Sequence, residues 1–170
     1  MATNIANIQI GDGVVQIKRS GETGYSALGG LSEDGVTLRS SNERVNITVG
    51  DADVYVKSVR TRLDVTMTFE VVEATLQALA DALGLPKDRV SGGTLTITDE
   101  DLGEVAIKFV GEDVDGGELK TIEFPKCVID TDLEIALQKG GEVRIPFSVL
   151  VLGTYDSDLG AWKLGTVSST

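Results

Sequence analysis

From Val59 to Phe69 the apolar residues Val59, Leu63, Val65, Met67 and Phe69 alternate with Arg60, Arg62, Asp64, Thr66 and Thr68. A two-residue period of this kind predicts a strand with one buried face. At about Glu70 the period changes. Val72, Leu76, Leu79, Ala80 and Leu83 recur three and four apart, which predicts an amphipathic helix. Glu70 and Glu73 would sit in its first turn, where carboxylates favour the positive end of the helix dipole. Gly84 suits a left-handed residue just past the end, and Pro86 blocks continuation. Leu76, Leu79 and Leu83 are the expected core contacts of this helix.

Almost all the rest predicts strand. Ile5–Ile10 and Val14–Lys18 flank Asp12-Gly13, a strong hairpin signal. Residues 19–35 carry five glycines and few large apolar groups, so a long connection is expected there. Val36–Arg39 is a short strand. Val45–Val49 and Val54–Lys57 flank Gly50-Asp51-Ala52-Asp53 as a second hairpin or extended loop. After the helix, Thr94–Thr98, Val105–Val110 and Leu119–Phe124 alternate in turn. Gly140-Gly141 then joins two long strands, Lys126–Gln138 and Val143–Leu152. Pro146 cannot donate to a ladder, which places its N–H side at an edge or a bulge. Trp162–Val167 is a last short strand. About a dozen strands with one helix predict a mainly β fold, a sandwich or barrel of packed antiparallel sheets. With 170 residues and no internal repeat, one domain covers 1–170.

Charge changes the picture next. The chain has 27 acidic and 15 basic residues, a net charge of −12, and should repel nucleic acid rather than grip its phosphates. It has no histidine, so imidazole acid–base chemistry and imidazole metal ligands are excluded. The single Cys127 lies on an apolar strand face, which favours a buried inert thiol over a nucleophile. One cysteine permits no internal disulfide. No leader-like or membrane-spanning stretch is evident, so synthesis and folding in a cytoplasm are expected, with no membrane anchor. Asp113–Gly117 faintly resembles a calcium loop, but the twelfth position is Phe124 rather than a bidentate Glu, which favours a plain turn. Neither a catalytic set nor a cofactor or metal site is expected. One constellation remains: Asp130, Asp132 and Glu134 share one face of one strand, neighbours ~7 Å apart. They form either a solvated outer face or a surface that must not adhere to polyanions. Paired carboxylates for glycoside hydrolysis match poorly, since no aromatic stacking residues lie nearby.

Read in order, these features resemble a known family. A Gly-rich loop ends in Asp34-Gly35-Val36-Thr37-Leu38. A long alternating strand precedes Glu73-Ala74-Thr75-Leu76-Gln77-Ala78-Leu79-Ala80-Asp81-Ala82-Leu83-Gly84. An acidic strand, the Gly140-Gly141 hairpin and Val143–Leu152 follow. From about Thr23 to Val167 the chain resembles the tail tube (major tail) proteins of long-tailed bacteriophages. The resemblance implies two packed antiparallel sheets flanked by one helix. It implies hexameric rings stacked into a hollow tube in the virion, made in the host cytoplasm. It also implies self-association, contact with tape-measure, tail-tip and tail-terminator proteins, and DNA passing without specific binding. In that frame Asp130, Asp132, Glu134, Arg60, Arg62 and Asp64 would line the lumen. Asn42, Glu43, Arg44, Asp51 and Asp53, in the region 40–58, would belong to a loop reaching another subunit or ring. That region looks more regular here than the floppy insertion of the family.

Other classes compete with this reading. Contractile injection and type VI-like secretion tubes share the fold. A β-sandwich binding module should show exposed aromatics on a concave face, yet aromatics are 5% of the chain. A carboxylate-only enzyme would need acids converging from different strands. Microscopy at high concentration separates rings and tubes from discrete monomers.

Overall fold

The computed structural model describes residues 8–10, 13–48, 55–72, 75–112, 119–134 and 143–169. In chain order the strands are β1 (Ile8–Ile10), β2 (Gly13–Lys18), β3 (Ser26–Ala27), β4 (Leu31–Thr48) and β5 (Tyr55–Val71). Helix α1 (Leu76–Ala82) and a 3-10 turn (Lys87–Arg89) follow, then β6 (Val90–Ser91), β7 (Thr94–Leu95), β8 (Val105–Glu112) and β9 (Leu119–Ile129). The chain ends with β10 (Ile145–Val151), β11 (Thr154–Asp156), β12 (Ala161–Lys163) and β13 (Thr166–Ser169).

The fold is mainly β with one flanking helix. One antiparallel sheet runs β1-β4-β5-β10-β9-β8-β2-β3, with β13 added on β9, and it folds over on itself as a sandwich. Strict alternation drives this closure. In β10 every second residue is buried: Ile145, Phe147, Val149 and Val151. They meet Met67 and Phe69 from β5 and Ile17, Ile107, Phe109, Ile122 and Cys127 from the other half in one core cluster. Burying each such large side chain contributes about 1.5–3 kcal/mol. Phe69 and Phe147 face each other across the β5–β10 ladder, their rings stacked at 5.0 Å. The chain reaches β13 by pressing Gly165 onto β9; a Cβ there would overlap the Phe124 ring and the Glu123 carbonyl oxygen.

Several expected elements are redrawn. Ile8–Ile10, the described part of the first run, does not pair with Val14–Lys18. β1 joins β4 and β2 joins β8, at opposite ends of the strand order. Val36–Arg39 and the described part of Val45–Val49 belong to one 18-residue strand, and the described part of Val54–Lys57 and Val59–Phe69 to one 17-residue strand. The expected helix from Glu70 is shorter. The ladder with β10 holds the chain extended through Val71, because Glu70 and Val71 face Pro146 and Ile145. Thr75 then caps α1, its hydroxyl accepting from the Ala78 N–H at 3.0 Å. Gly84 (φ 68) closes the helix as expected. Its N–H donates to Asp81 O and the Leu85 N–H to Ala80 O, a Schellman pair.

The helix buries Ala78, Ala80, Asp81 and Ala82 rather than the predicted leucine stripe. Leu79 and Leu83 are half-buried, and Leu76 is 39% exposed. The late start rotates the stripe away from the sheet. Leu79 packs on the core, so Leu79→Ala should cost ~2 kcal/mol, the low end for a leucine truncation. Leu76→Ala should stay within about 0.5 kcal/mol. Urea unfolding of both variants checks the order.

Asp81 is held by Arg19, which follows β2. The Arg19 Nε donates to Asp81 Oδ1 at 2.8 Å, and its second fork nitrogen donates to Asp81 Oδ2. Arg19 also binds Glu22, which Lys87 reaches at 3.0 Å. Burial pulls the Arg19 pKa down, but Asp81 and Glu22 outweigh it and the net shift is upward. One buried fork thus ties the helix to the connection after β2.

Candidate functional site

The longest feature is the ladder of β4 with β5. The body uses only part of it: β1 covers Val36–Leu38 and β10 covers Val65–Val71. Beyond Ser40↔Val65 the two strands continue as an arm from Ser41↔Asp64 to Thr48↔Tyr55, with no other described strand beside them. The expected hairpin is therefore present on the described residues. Asn42, Glu43 and Arg44, assigned to a loop from sequence, lie in its ladder opposite Leu63, Arg62 and Arg60. Asp51 and Asp53 fall outside the described residues.

The arm is not a simple extension of the body. Glu43 faces Arg62 and the next residue, Arg44, faces Arg60, so Thr61 has no partner and forms a bulge. Its hydroxyl donates to the Glu43 carbonyl at 3.3 Å. Consecutive residues of β4 point to opposite faces, so Arg62 and Arg60 do so too. The hydrogen bonds agree. Arg62 Nε donates to Asp64 Oδ1 at 2.9 Å, whereas Arg60 Nη1 donates to Asn42 Oδ1 and Arg44 Nη1 to Ser58 Oγ, both at 3.3 Å. This corrects the expectation that Arg60, Arg62 and Asp64 share a face. It also turns Val59 away from the side of Leu63. Val59 pairs with Val45, and with Ile47 they form an exposed apolar stripe. Ile47 faces Lys57. A second skipped residue, Val56, follows near the tip.

The non-core face of the body is polar. Thr37, Thr68 and Ser148 lie side by side across β4, β5 and β10. With Asp130, Thr131 and Asp132 they line an open groove of about 430 Å³. Asp34 and Glu70 stand at its margin, and Arg144 reaches both, at 3.7 and 3.5 Å. The buried Ser32 Oγ, also on the groove, has no hydrogen-bond partner among the described residues. The predicted acidic strand is cut short here: β9 ends at Ile129, and residues 130–134 are not in a ladder. Pro146 supplies the reason. Ser148 N–H turns toward this segment and finds the Thr131 hydroxyl at 2.8 Å. Two residues earlier, on the same side, Pro146 has no N–H to give. The alternation nonetheless persists: Asp130, Asp132 and Glu134 are exposed and Thr131 and Leu133 half-buried. Residues 135–142, with the Gly140-Gly141 turn, and the Asp113–Gly117 segment lie outside the described residues.

Candidate chemistry elsewhere is thin. Cys127 is fully buried, and burial pushes its thiol up to about 12. Tyr25 is also pushed up to about 12, by burial and by its 2.8 Å hydrogen bond to Glu123. Among the described residues no three Asp, Glu or Cys side chains converge as metal ligands, and no helix is long and apolar enough to cross a membrane. Sequence reasoning missed two sets of exposed residues. Val59 falls in the buried phase of its strand by sequence, which the bulge reverses, and no glycine or proline marks Thr61; Val45 and Ile47, expected only in a hairpin or extended loop, join it in the exposed stripe. Tyr155 and Trp162 pair across β11 and β12, ring centroids 5.7 Å apart, on a hairpin that pairs with nothing else described. Each is at the strand-like phase of a short alternating run, which the sequence shows without showing its exposure.

No family profile and no curated protein matches the chain. Among solved structures it is similar to a chain of the anti-feeding prophage baseplate, 6-fold symmetrised, at 9% identity and a TM-score of 0.55. That match covers 99% of this chain and 97% of the other. A chain of a native gene transfer agent virion aligns at 14% identity over 94% and 95% of the two chains, with a TM-score of 0.45. An Hcp protein aligns at 15% identity over 93% and 97%, with a TM-score of 0.32. The likeness to the anti-feeding prophage baseplate chain spans nearly the whole of both chains, and the shared fold is the mainly β, antiparallel arrangement with a helix that the sequence predicts.

Proposed function

We propose that this protein is a structural, non-enzymatic tube subunit of a phage tail, polymerising as stacked hexameric rings around a channel for DNA. The observation that carries this reading is the arm. Its two strands leave the body with no other described strand on either outer edge and with valine and isoleucine exposed. Such edges invite pairing with other chains, and a closed ring of subunits removes them. The 6-fold symmetrised baseplate that contains a chain of similar fold supports the ring. The same likeness favours, as the alternative, the tube protein of a contractile injection or type VI-like system.

In this reading the polar face of β4, β5 and β10 is the inner wall. Its hydroxyls are uncharged, Arg144 is paired with Asp34 and Glu70, and the exposed Arg39, opposite Thr66 on the same face, is outnumbered by Asp130, Asp132 and Glu134, which repel phosphates. Arg62 is neutralised by Asp64 beside it. The arm reaches a neighbouring subunit or ring, and tape-measure, tip and terminator proteins are the further partners. Negative-stain microscopy of concentrated protein, alone and with its tip complex, is expected to show rings or tubes; persistent monomers in both conditions would overturn the proposal. Replacing Asp130, Asp132 and Glu134 together with lysine is expected to permit assembly but block DNA ejection. Unchanged ejection would remove these acids from the wall.

A further inference from the structure

The exposed aromatics are unevenly placed. All four phenylalanines are buried, whereas Tyr55, Tyr155 and Trp162 are exposed, and these three sit on the arm and on the β11–β12 hairpin. Trp162 is 71% exposed, and Leu159 at the turn of the same hairpin is exposed too. Asp156 fixes that turn by accepting from the N–H groups of Asp158 and Leu159, at 3.0 and 3.2 Å, and Asp158 stays at the surface. The hairpin therefore presents an aromatic face with an acidic end. The arm presents the converse, an aliphatic face of Val45, Ile47 and Val59 with Lys57 opposite Ile47. Val45 is 53% exposed. Contiguous apolar surface of this kind marks a contact.

Position decides which contact. β10 leaves its ladder with β5 at Val151, opposite Val65 at the root of the arm, and β11 begins three residues later. Arm and hairpin thus both leave the β5–β10 ladder at its Val65↔Val151 end. Copies displaced along the strand direction would present opposite ends to each other. Copies related by rotation about an axis along the strands keep both features level, so one copy's arm can meet the next copy's hairpin. That contact joins two different patches and closes when the rotation closes. We infer that the aliphatic face of the arm docks on the Tyr155–Trp162 hairpin of a second copy beside it in the same ring, an inference that rests on the self-assembly reading above.

Trp162 is the single tryptophan, so the wild-type protein reports on the contact without substitution. On polymerisation its emission should shift to shorter wavelength and its quenching by acrylamide should fall several-fold. Val59→Asp should leave a monomer of unchanged melting temperature and abolish both changes. Cys127 is buried, so the double variant Val59→Cys, Tyr155→Cys should cross-link cleanly in oxidised assemblies. The expected product is a ladder of covalent oligomers ending at one closed size. Wild-type tubes in which Trp162 stays fully quenchable would overturn the docking and leave the tube reading standing. A cross-linked ladder without an end would place the contact between rings and overturn it likewise. A full emission shift in Val59→Asp tubes would show that something other than the arm covers the hairpin. Wild-type protein that forms no assembly would defeat the self-assembly reading and this inference together.

Discussion

Asp81→Ala should destabilise the monomer by about 3 kcal/mol, the low end for breaking a buried pair, because the Arg19 guanidinium loses its two-pronged buried partner and keeps only Glu22 at 3.2 Å as a counter-charge. Asp81 has no exposure to solvent and Arg19 very little, so neither charge can be rehydrated without moving the helix. Arg19→Ala should cost a similar amount, and the two losses should not add, since each removes the same fork. A double replacement by Met and Leu should recover much of the loss, as apolar groups of similar volume need no partner. Equilibrium urea unfolding of the four proteins checks all three statements. Neighbouring Glu22 gives the cluster an acid limit. The Arg19 backbone N–H, followed by Lys87 and Arg19 charge, holds its carboxyl below the ordinary 4.5 despite the opposing effect of burial. A lowered folded value means stability that is fully present above about pH 4.5 and is lost as pH falls through that lowered value. Glu22→Gln should flatten this part of the acid unfolding curve.

Excising the arm should abolish polymerisation while leaving a folded body. Joining Asn42 to Leu63, which face each other, through an Asn-Gly turn removes Glu43–Arg62 without breaking the ladder below. No described residue between Leu38 and Leu63 belongs to the core cluster or is a hydrophobic packed against it, so the melting temperature should change little. Sedimentation and microscopy should then show monomers at concentrations where the intact chain forms tubes. Tubes of normal appearance from the excised protein would remove the arm from assembly. Excision removes the arm's edges, which no other described strand pairs, together with the apolar stripe, so it tests the arm as a whole rather than one of its side chains.

The sequence disclosed what local alternation controls. The buried faces of β5 and β10, the buried thiol of Cys127 and the glycine after α1 all follow from the residue order at those positions. It did not disclose what distant partners control. Whether Ile8–Ile10 pairs with β2 or β4 depends on a strand brought in from elsewhere, and the Asp12-Gly13 signal carries no information about that rival. The helix begins late because β10 holds Glu70 and Val71 extended, although both residues suit a helical period. Asp81, the one fully buried acid among the described residues, reads as a polar position on a helix surface until Arg19 is seen opposite it, 62 residues away. The acidic trio shows both cases. Its alternation was legible, but the end of its ladder depended on a proline in the neighbouring strand.

Thr61 gives the arm a property that composition does not reveal. Because Thr61 is the extra residue of the bulge, deleting it would leave Arg60, Val59, Ser58 and Lys57 opposite their present partners and only straighten the strand. Drawing Thr61 into the ladder opposite Arg44 would do the reverse: every side chain from Lys57 to Arg60 would exchange sides, though none had been altered. In such a segment the place of one unpaired residue acts as an inherited instruction, and a one-residue slip would rewrite the outward surface more thoroughly than several point changes. Related chains that lack this residue should therefore keep the same outward face of the arm.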